Sequence, residues 1–313
     1  MTALVTLGEA MAVVAATQPG PLASGASLRL AFAGAEATVA IGVSRLGHRA
    51  SWTGRVGADS SGTMILDGLR GEAVDVTRAR VDDTAPTGLM LRERRTSDHT
   101  RVTYYRRGLA GARLAPEDID AELVSHARVL HITGITPALG DAPRAAVRRA
   151  VELARAAGVT VSLDLNHRAL LWSRQEASAE LTELATLADI VFAGPDEAAL
   201  VVPEAEPAAM ARALLRLGPR EAVLKLGARG ALAAAGDEVT VQGIVPVTLV
   251  DPIGAGDAFV AGYLAGLLDG APVPGRLRLA ATCGAFAVSA PGDWEGLPRR
   301  DELDLLDGED VAR

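Results

Sequence analysis

A single cysteine, Cys283, stands in 313 residues. An intramolecular disulfide is therefore impossible. With no cluster of ligand residues around it, the thiol is expected to be a small buried hydrophobe in a reducing compartment. Aromatic residues make up only 3% of the chain, so Ala, Val and Leu must fill the core. A basic excess is missing too: 31 Lys and Arg against 39 Asp and Glu leave a net charge of −8. That balance argues against a nucleic-acid or membrane-surface protein, although an anionic small molecule needs only local positive charge. No apolar run reaches membrane-spanning length without interruption. The N-terminal stretch MTALVTLGEAMAVVAAT has no basic leader region and is broken by Glu9, so a cytoplasmic protein is expected. Lysine is nearly absent as well, and the one lysine is Lys225.

Several catalytic signatures are also absent. There is no G-x-x-x-x-G-K-[ST] phosphate loop. The stretch GAGDAF (254–259) lacks the third glycine of a dinucleotide fingerprint and lies far from the first βα unit. No Ser-His-Asp order or G-x-S-x-G motif argues for a hydrolase. His48, His99, His126, His131 and His167 are scattered without metal-ligand spacing.

What is present is an alternation of strand and helix patterns. ALVTLGEAMAVVAA reads as a strand, a break at Gly8 and a second extended segment. SLRLAFAG (27–34) alternates as a half-exposed strand, AEATVAIGVSRLG (35–47) has helical spacing, and ASWTGRVG (50–57) reads as one strand. SSGTMILDGLRGEAV (60–74) is a helix leading into a strand. From 86 to 109, two β-like runs flank the polar tip RRTSDH, as in a hairpin. After that the βα alternation continues through VLHIT, VTVSLDLN, DIVFAG and EAVLKLG to the final helices. Repeated βα units imply a mostly parallel sheet with helices on both faces and ligands at the carboxyl ends of its strands. The chain is expected to be one α/β domain over 1–313. A small β-sheet lid, formed by about 10–16, 27–33 and 86–107, is inserted in it.

Four stretches carry chemistry. In DPIGAGDAF (251–259) a small-residue turn opens an apolar helix at about Gly256–Asp257. Its unpaired N–H groups could hold a phosphoryl group, with Asp257 as proton acceptor, or Asp257 could simply cap the helix. VLKLGARGA (223–231) brings Lys225, Gly227 and Gly230 to a strand end, either beside a ligand or in an ordinary turn. SLDLNHRALLW (162–172) places Asp164, Asn166 and Arg168 after an apolar strand, where Arg168 could fork a carboxylate or face solvent. VTYYRRG (102–108) puts Tyr104 and Arg106 on one side of a strand, facing either a substrate or a partner.

With these residues in view, the sequence resembles the ribokinase-like (PfkB) sugar kinases along essentially its whole length. Their late signature, D-T-x-G-A-G-D, stands here as Asp251-Pro252-Ile253-Gly254-Ala255-Gly256-Asp257. The early one stands as AGAEATVAIGVSRLGHRASWTGRVGADSSG. Within the family the chain is most similar to kinases of 2-keto-3-deoxygluconate, through YYRRGLAGARLAP, LHITGITPALG, SLDLNHRALLW and GDWEGLP. The resemblance implies a ribokinase-like three-layer sandwich and transfer of the ATP γ-phosphoryl, with Mg²⁺, to the primary hydroxyl of a sugar acid. It implies Asp257 as base and Gly254, Ala255, Gly256 and Asp257 as the anion hole. Lys225, Gly227 and Gly230, with Gly254 and Gly256, would border ATP, and Glu197 would reach Mg²⁺ through water. Gly34, Thr38, Met90, Tyr104, Arg106, Arg168 and Asp251 would line the substrate site. Four departures stand out: Ala35 at the second glycine of the early pair, Thr38 for asparagine, Met90 where close relatives have tyrosine, and Gly194 for the Asn of N-x-x-E. Those at 35, 38 and 90 fall on the sugar side.

The alternatives are a kinase for fructose or ribose, and a non-catalytic relative that binds sugar or nucleotide. A four-stranded lid with an apolar face is too small to be stable alone. Val13, Val14, Leu28 and Leu30 are therefore expected to bury that face against the lid of a second subunit in a homodimer, with no nucleic-acid or membrane partner.

Overall fold

Leu4–Leu7 (LVTL), Val129–Thr133 (VLHIT) and Ile190–Ala193 (IVFA) are buried along their whole length, as the apolar runs of a parallel sheet covered on both faces must be. The structure is a computed structural model that describes residues 2–96 and 99–306. Its large sheet runs in the order Glu238–Gln242, Ala231–Ala235, Glu221–Lys225, Ile190–Ala193, Thr160–Asp164, Val129–Thr133, Leu4–Leu7 and Ala50–Thr53. From Ala50–Thr53 to Glu221–Lys225 the neighbouring strands are parallel. The remaining two are antiparallel.

Alternation along the strands separates two apolar layers. Leu4, Trp52 and Phe192 pack with the helices Ala35–Arg45, Ala255–Leu268 and Val273–Val288. Val5, Leu7 and Val191 pack with Asp141–Ala156, Arg174–Leu187 and Pro207–Arg216. Cys283 lies in the first layer, 1% exposed, and burial pushes its thiol up to about 12. It is the inert buried residue the composition implies. Among the described residues no helix is long and apolar enough to cross a membrane.

Two elements differ from the sequence-based expectation. ASWTGRVG is not one strand. Ala50–Thr53 joins the large sheet, whereas Arg55–Gly57 pairs with Arg80–Asp82. The chain changes sheet at Gly54, where a Cβ would run into the Trp52 ring and the Gly8 carbonyl. The second difference is the hairpin Ala231–Ala235/Glu238–Gln242, which closes the sheet edge without an intervening helix. Its two-residue turn is Gly236-Asp237, with Gly236 at φ +57°.

A separate four-stranded sheet orders Leu28–Ala33, Met11–Ala16, Leu89–Arg94 and Thr100–Tyr105. It is the lid, with the expected hairpin between its last two strands; Ser97 and Asp98 of the tip lie outside the described residues. Its register corrects one expectation. Val14 pairs with Leu30 and Ala16 with Leu28, so these positions share one face. Val13 alternates to the other face, where it is fully buried with Met11, Ala33 and Met90. Only Val14, Leu28 and Leu30 of the four apolar residues face outward.

Candidate active site

The chain reverses its direction of winding at Leu4–Leu7, which lies between Ala50–Thr53 and Val129–Thr133. In an open α/β sheet that is where a crevice forms at the carboxyl ends of the strands. Here the crevice is a cavity of ≈ 870 Å³ between those strand ends and the lid.

At one end of it the helix Ala255–Leu268 begins, capped by Gly254 at φ +77°. Glycine is required there twice over: the backbone is left-handed, and a Cβ would collide with the Asp293 carbonyl. The first intrahelical bond runs from Ala258 N–H to the Gly254 carbonyl at 2.9 Å. The N–H groups of Ala255, Gly256 and Asp257 precede it and carry the positive end of the helix dipole. Gly256 and Asp257 line the cavity. Burial pushes the Asp257 carboxyl up to about 7; Asp164 adds to the rise, while Arg168 and Lys225 oppose it. Asn166 Nδ2 reaches Asp257 Oδ1 at 3.4 Å. Asn166 itself stands at φ +35°, a conformation non-glycine residues rarely hold, directly after the strand Thr160–Asp164.

Lys225, at the end of its strand, donates to Asp164 Oδ2 at 2.6 Å. Burial alone would lower its pKa, but Asp164 and Glu197 outweigh burial and raise it. The place of a Cβ on Gly256 is 3.6 Å from Lys225 Nζ, so this cation stands beside the start of the helix Ala255–Leu268. Glu197 accepts from the N–H of Gly194 at 2.6 Å and of His167 at 3.1 Å, and burial raises its pKa. Among the described residues no group of three acidic, His or Cys side chains could cage a metal ion. That suits Mg²⁺ carried by nucleotide phosphates and water rather than by a protein cage.

Gly34, Met90, Tyr104, Arg106 and Arg168 also line the cavity, with Arg168 near enough to Asp257 and Glu197 to lower both their pKa values. Arg168 makes no ion pair among the described residues, nor does Arg174, which also lines the cavity. Arg106, expected at the substrate site, lines the cavity but is already paired. It is ion-paired with Glu9, a residue 3% exposed, and its guanidinium lies 5.5 Å from the Tyr104 ring centroid. Beside Glu9 is Glu36, 1% exposed, whose Oε1 accepts from Thr133 Oγ1 and Thr136 Oγ1 at 2.7 Å each.

Four anticipated site residues do not line the cavity. Thr38 is one turn into the helix Ala35–Arg45 and 1% exposed; Glu36, nearer the helix start, faces the cavity in its stead. Asp251 turns its carboxylate to the N–H groups of Ile253 at 3.1 Å and Gly292 at 3.3 Å, and so shapes the turn instead of lining it. Ala255 contributes only its backbone. Gly230, at φ +83°, packs against the backbone of Gln242 and Gly243, while Gly227 does line the cavity.

Sequence reasoning missed Glu9, Glu36, Arg174 and the pair Arg92–Asp293. Glu9 had a signal: it is a carboxylate directly after the strand-ending Gly8, at the carboxyl end of a sheet strand. Arg92 Nη2 meets Asp293 Oδ2 at 3.0 Å across a separation of 201 residues, and no local pattern announces such a pair.

A doubly wound sandwich, a β lid and a carboxylate beside an anion-binding helix terminus together define a kinase of small polar molecules. Residues 1–300 match the pfkB family carbohydrate kinases, and the chain belongs to that family. It is 38% identical over 302 residues to 2-dehydro-3-deoxygluconokinase of Bacillus subtilis, covering 96% of this chain and 93% of that protein. The protein of the same name from Thermoproteus tenax is 37% identical over 311 residues, 98% of this chain and 94% of that one. Among solved structures, a protein described as ribokinase II from E. coli, in complex with ATP and Mg²⁺, superposes with a TM-score of 0.91. It is 25% identical and covers 98% of this chain and 99% of its own. The fold is therefore ribokinase-like.

Proposed function

We propose that the chain transfers the γ-phosphoryl group of ATP to the primary hydroxyl of 2-keto-3-deoxygluconate, giving the 6-phosphate. The observation that carries this is one cavity lined by Asp257 at a bare helix N-terminus and by Arg106, Arg168 and Arg174. The B. subtilis and T. tenax relatives support the choice of substrate.

The residues divide the work by position. Arg168, with Tyr104 and Met90, holds the sugar acid, and the lid covers it. Asp257 accepts the hydroxyl proton as that oxygen attacks phosphorus. The N–H groups of Ala255, Gly256 and Asp257 hold the charge that develops on the transferring group. Lys225 and Gly227 border the nucleotide, and Glu197 reaches the metal through water. Bound ATP and Mg²⁺ supply the phosphoryl group and screen its charge.

The pairing of Arg106 with Glu9 favours a second reading, a kinase for a neutral sugar such as fructose or ribose. ADP release with ATP and Mg²⁺ separates the two on a panel of 2-keto-3-deoxygluconate, 2-keto-3-deoxygalactonate, gluconate, fructose and ribose. The proposal expects a clear preference for a 2-keto-3-deoxy acid; turnover of a neutral sugar alone would defeat it. Arg168→Ala is expected to raise the KM for the sugar acid roughly 10- to 100-fold, the scale of one charged hydrogen bond. The KM for ATP should move less than twofold, and parallel changes in both would remove Arg168 from the sugar site.

The outward lid face supports a homodimer. Leu28 is 46% and Leu30 61% exposed, and Tyr105, on the opposite edge strand of the same sheet, is 53% exposed. Light scattering is expected to give twice the 32.2 kDa of one chain, and Leu30→Glu should release the monomer. A monomeric wild type at micromolar concentration would rule the interface out.

A further inference from the structure

We propose that Glu9 is the positioning residue for Arg106, and that it takes up one proton from solvent when the carboxylate of the sugar acid docks on that arginine. The inference rests on the sugar-acid function proposed above.

Glu9 follows the sheet strand Leu4–Leu7 and sits beneath the lid, lining the cavity. The chain is cut away to admit it. A Cβ at Gly111 would strike the Glu9 side chain, and one at Gly88 would stand 3.0 Å from Oε1. Neither carboxylate oxygen has any other hydrogen-bond partner among the described residues. Arg106 is its one counter-charge, and Glu36, on the helix Ala35–Arg45, is the other charged group facing it. Gly88 and Gly111 bring bare backbone against its side chain. Glu36 takes its hydrogen bonds from Thr133 and Thr136, although Arg106 is near enough to oppose the rise of its pKa as well.

An isolated buried carboxylate with one counter-charge is poised between two states. Burial pushes Glu9 up to about 7 even with Arg106 beside it, and Glu36 pushes in the same direction. A substrate carboxylate arriving at Arg106 brings a second negative charge to one guanidinium. The two anions repel, and the buried one is the cheaper to neutralise, because its charged form is the poorly solvated one. Glu9 takes the proton, and Arg106 turns its charge to the substrate. The ordinary Glu9–Arg106 pair thus keeps the arginine oriented and neutralised in the empty cavity. Exchange of partners makes anion binding a proton-coupled event. A neutral sugar triggers no such exchange.

The test is calorimetric titration of wild-type protein with 2-keto-3-deoxygluconate at pH 8, in buffers of different ionisation enthalpy. About one proton is expected to be taken up per site at pH 8, and close to none at pH 5.5, where Glu9 already holds its proton. Glu9→Gln should abolish the uptake at pH 8. Asp257→Asn and Glu36→Gln should retain it, which separates Glu9 from the other buried carboxyls in the cavity. The kinetic counterpart is a KM for the sugar acid that rises by up to tenfold per pH unit above pH 7 in the wild type. That KM should be flat in Glu9→Gln, with the KM for ATP unaffected in both. Sugar-acid binding with no proton uptake in the wild type, which needs no variant to fold, overturns the proposal alone. Turnover of a neutral sugar with no binding of the acid overturns both the proposal and the function it rests on.

Discussion

Asp257→Asn is expected to lower kcat by roughly a hundred- to ten-thousand-fold, the usual contribution of a positioned general base, while the KM for ATP changes little. The amide keeps the shape of the side chain and the helix start at Gly254, so nucleotide contacts survive. It cannot accept the proton of the attacking hydroxyl. The same change is expected to make the protein more stable at pH 8. The folded-state pKa of Asp257 is about 7 against 3.8 for the unpaired group, so between about pH 4 and 7 the native state holds a proton that the unfolded chain has released. Stability is then lost as pH rises through that window and stays low above it. Asparagine removes the loss. A melting temperature several degrees higher than wild type at pH 8, and equal to it below pH 4, is the outcome to measure. Near-normal turnover in this variant would sink the catalytic assignment.

Lys225→Met is expected to be severe in a different way. Its partner Asp164 is 1% exposed at the side chain, and Asp164 Oδ1 has no hydrogen-bond partner among the described residues. Without Lys225 a buried carboxylate stands alone, which typically costs about 3–5 kcal/mol. Denaturant unfolding at pH 8 measures this. Activity should fall as well, because Lys225 stands beside Gly256 and is one of the charges holding the Asp257 pKa down. Its removal should shift the alkaline-rising limb of kcat/KM to higher pH. The double change Lys225→Met with Asp164→Asn separates the two effects: stability should return and phosphoryl transfer should not. Recovery of both would reduce Lys225 to a structural counter-ion.

The two raised carboxyls of the cavity, Asp257 and Glu9, are expected to pull the pH profile in opposite directions. Asp257 must be ionised to receive a proton, so turnover should rise through about pH 7. Glu9 must be protonated when the acid is bound, so affinity for the acid should fall above about pH 7. With a sugar acid the product of the two gives a bell in kcat/KM.

Much of this protein follows from local pattern. Apolar runs of four to six residues between helical segments give a parallel sheet, because only βα crossovers join parallel strands in register. The Gly254-Ala255-Gly256-Asp257 turn is legible because a left-handed glycine before an apolar helix leaves N–H groups bare whatever surrounds them. Lys225 and Arg168 are legible because they end or follow strands of the large sheet, and in this architecture strand ends meet at one crevice. What local pattern does not hold is the pairing of charges. Glu9 with Arg106, Lys225 with Asp164 and Arg92 with Asp293 join residues 61 to 201 positions apart, and their partners are set by the strand order of the large sheet and by how the lid sits on it. The same holds for Thr38 and Val13. Position 38 is placed at the site by its motif, and Val13 on the outward lid face by its apolar side chain, yet helix phase buries one and strand alternation turns the other inward. The sequence by itself determined the elements, the anion-binding turn and the residues available for chemistry, because these depend on short-range backbone geometry. The tertiary structure alone decided which arginine is free, which carboxylates are buried and which side chains face the cavity, because desolvation and Coulomb energy depend on distances that only the folded chain fixes.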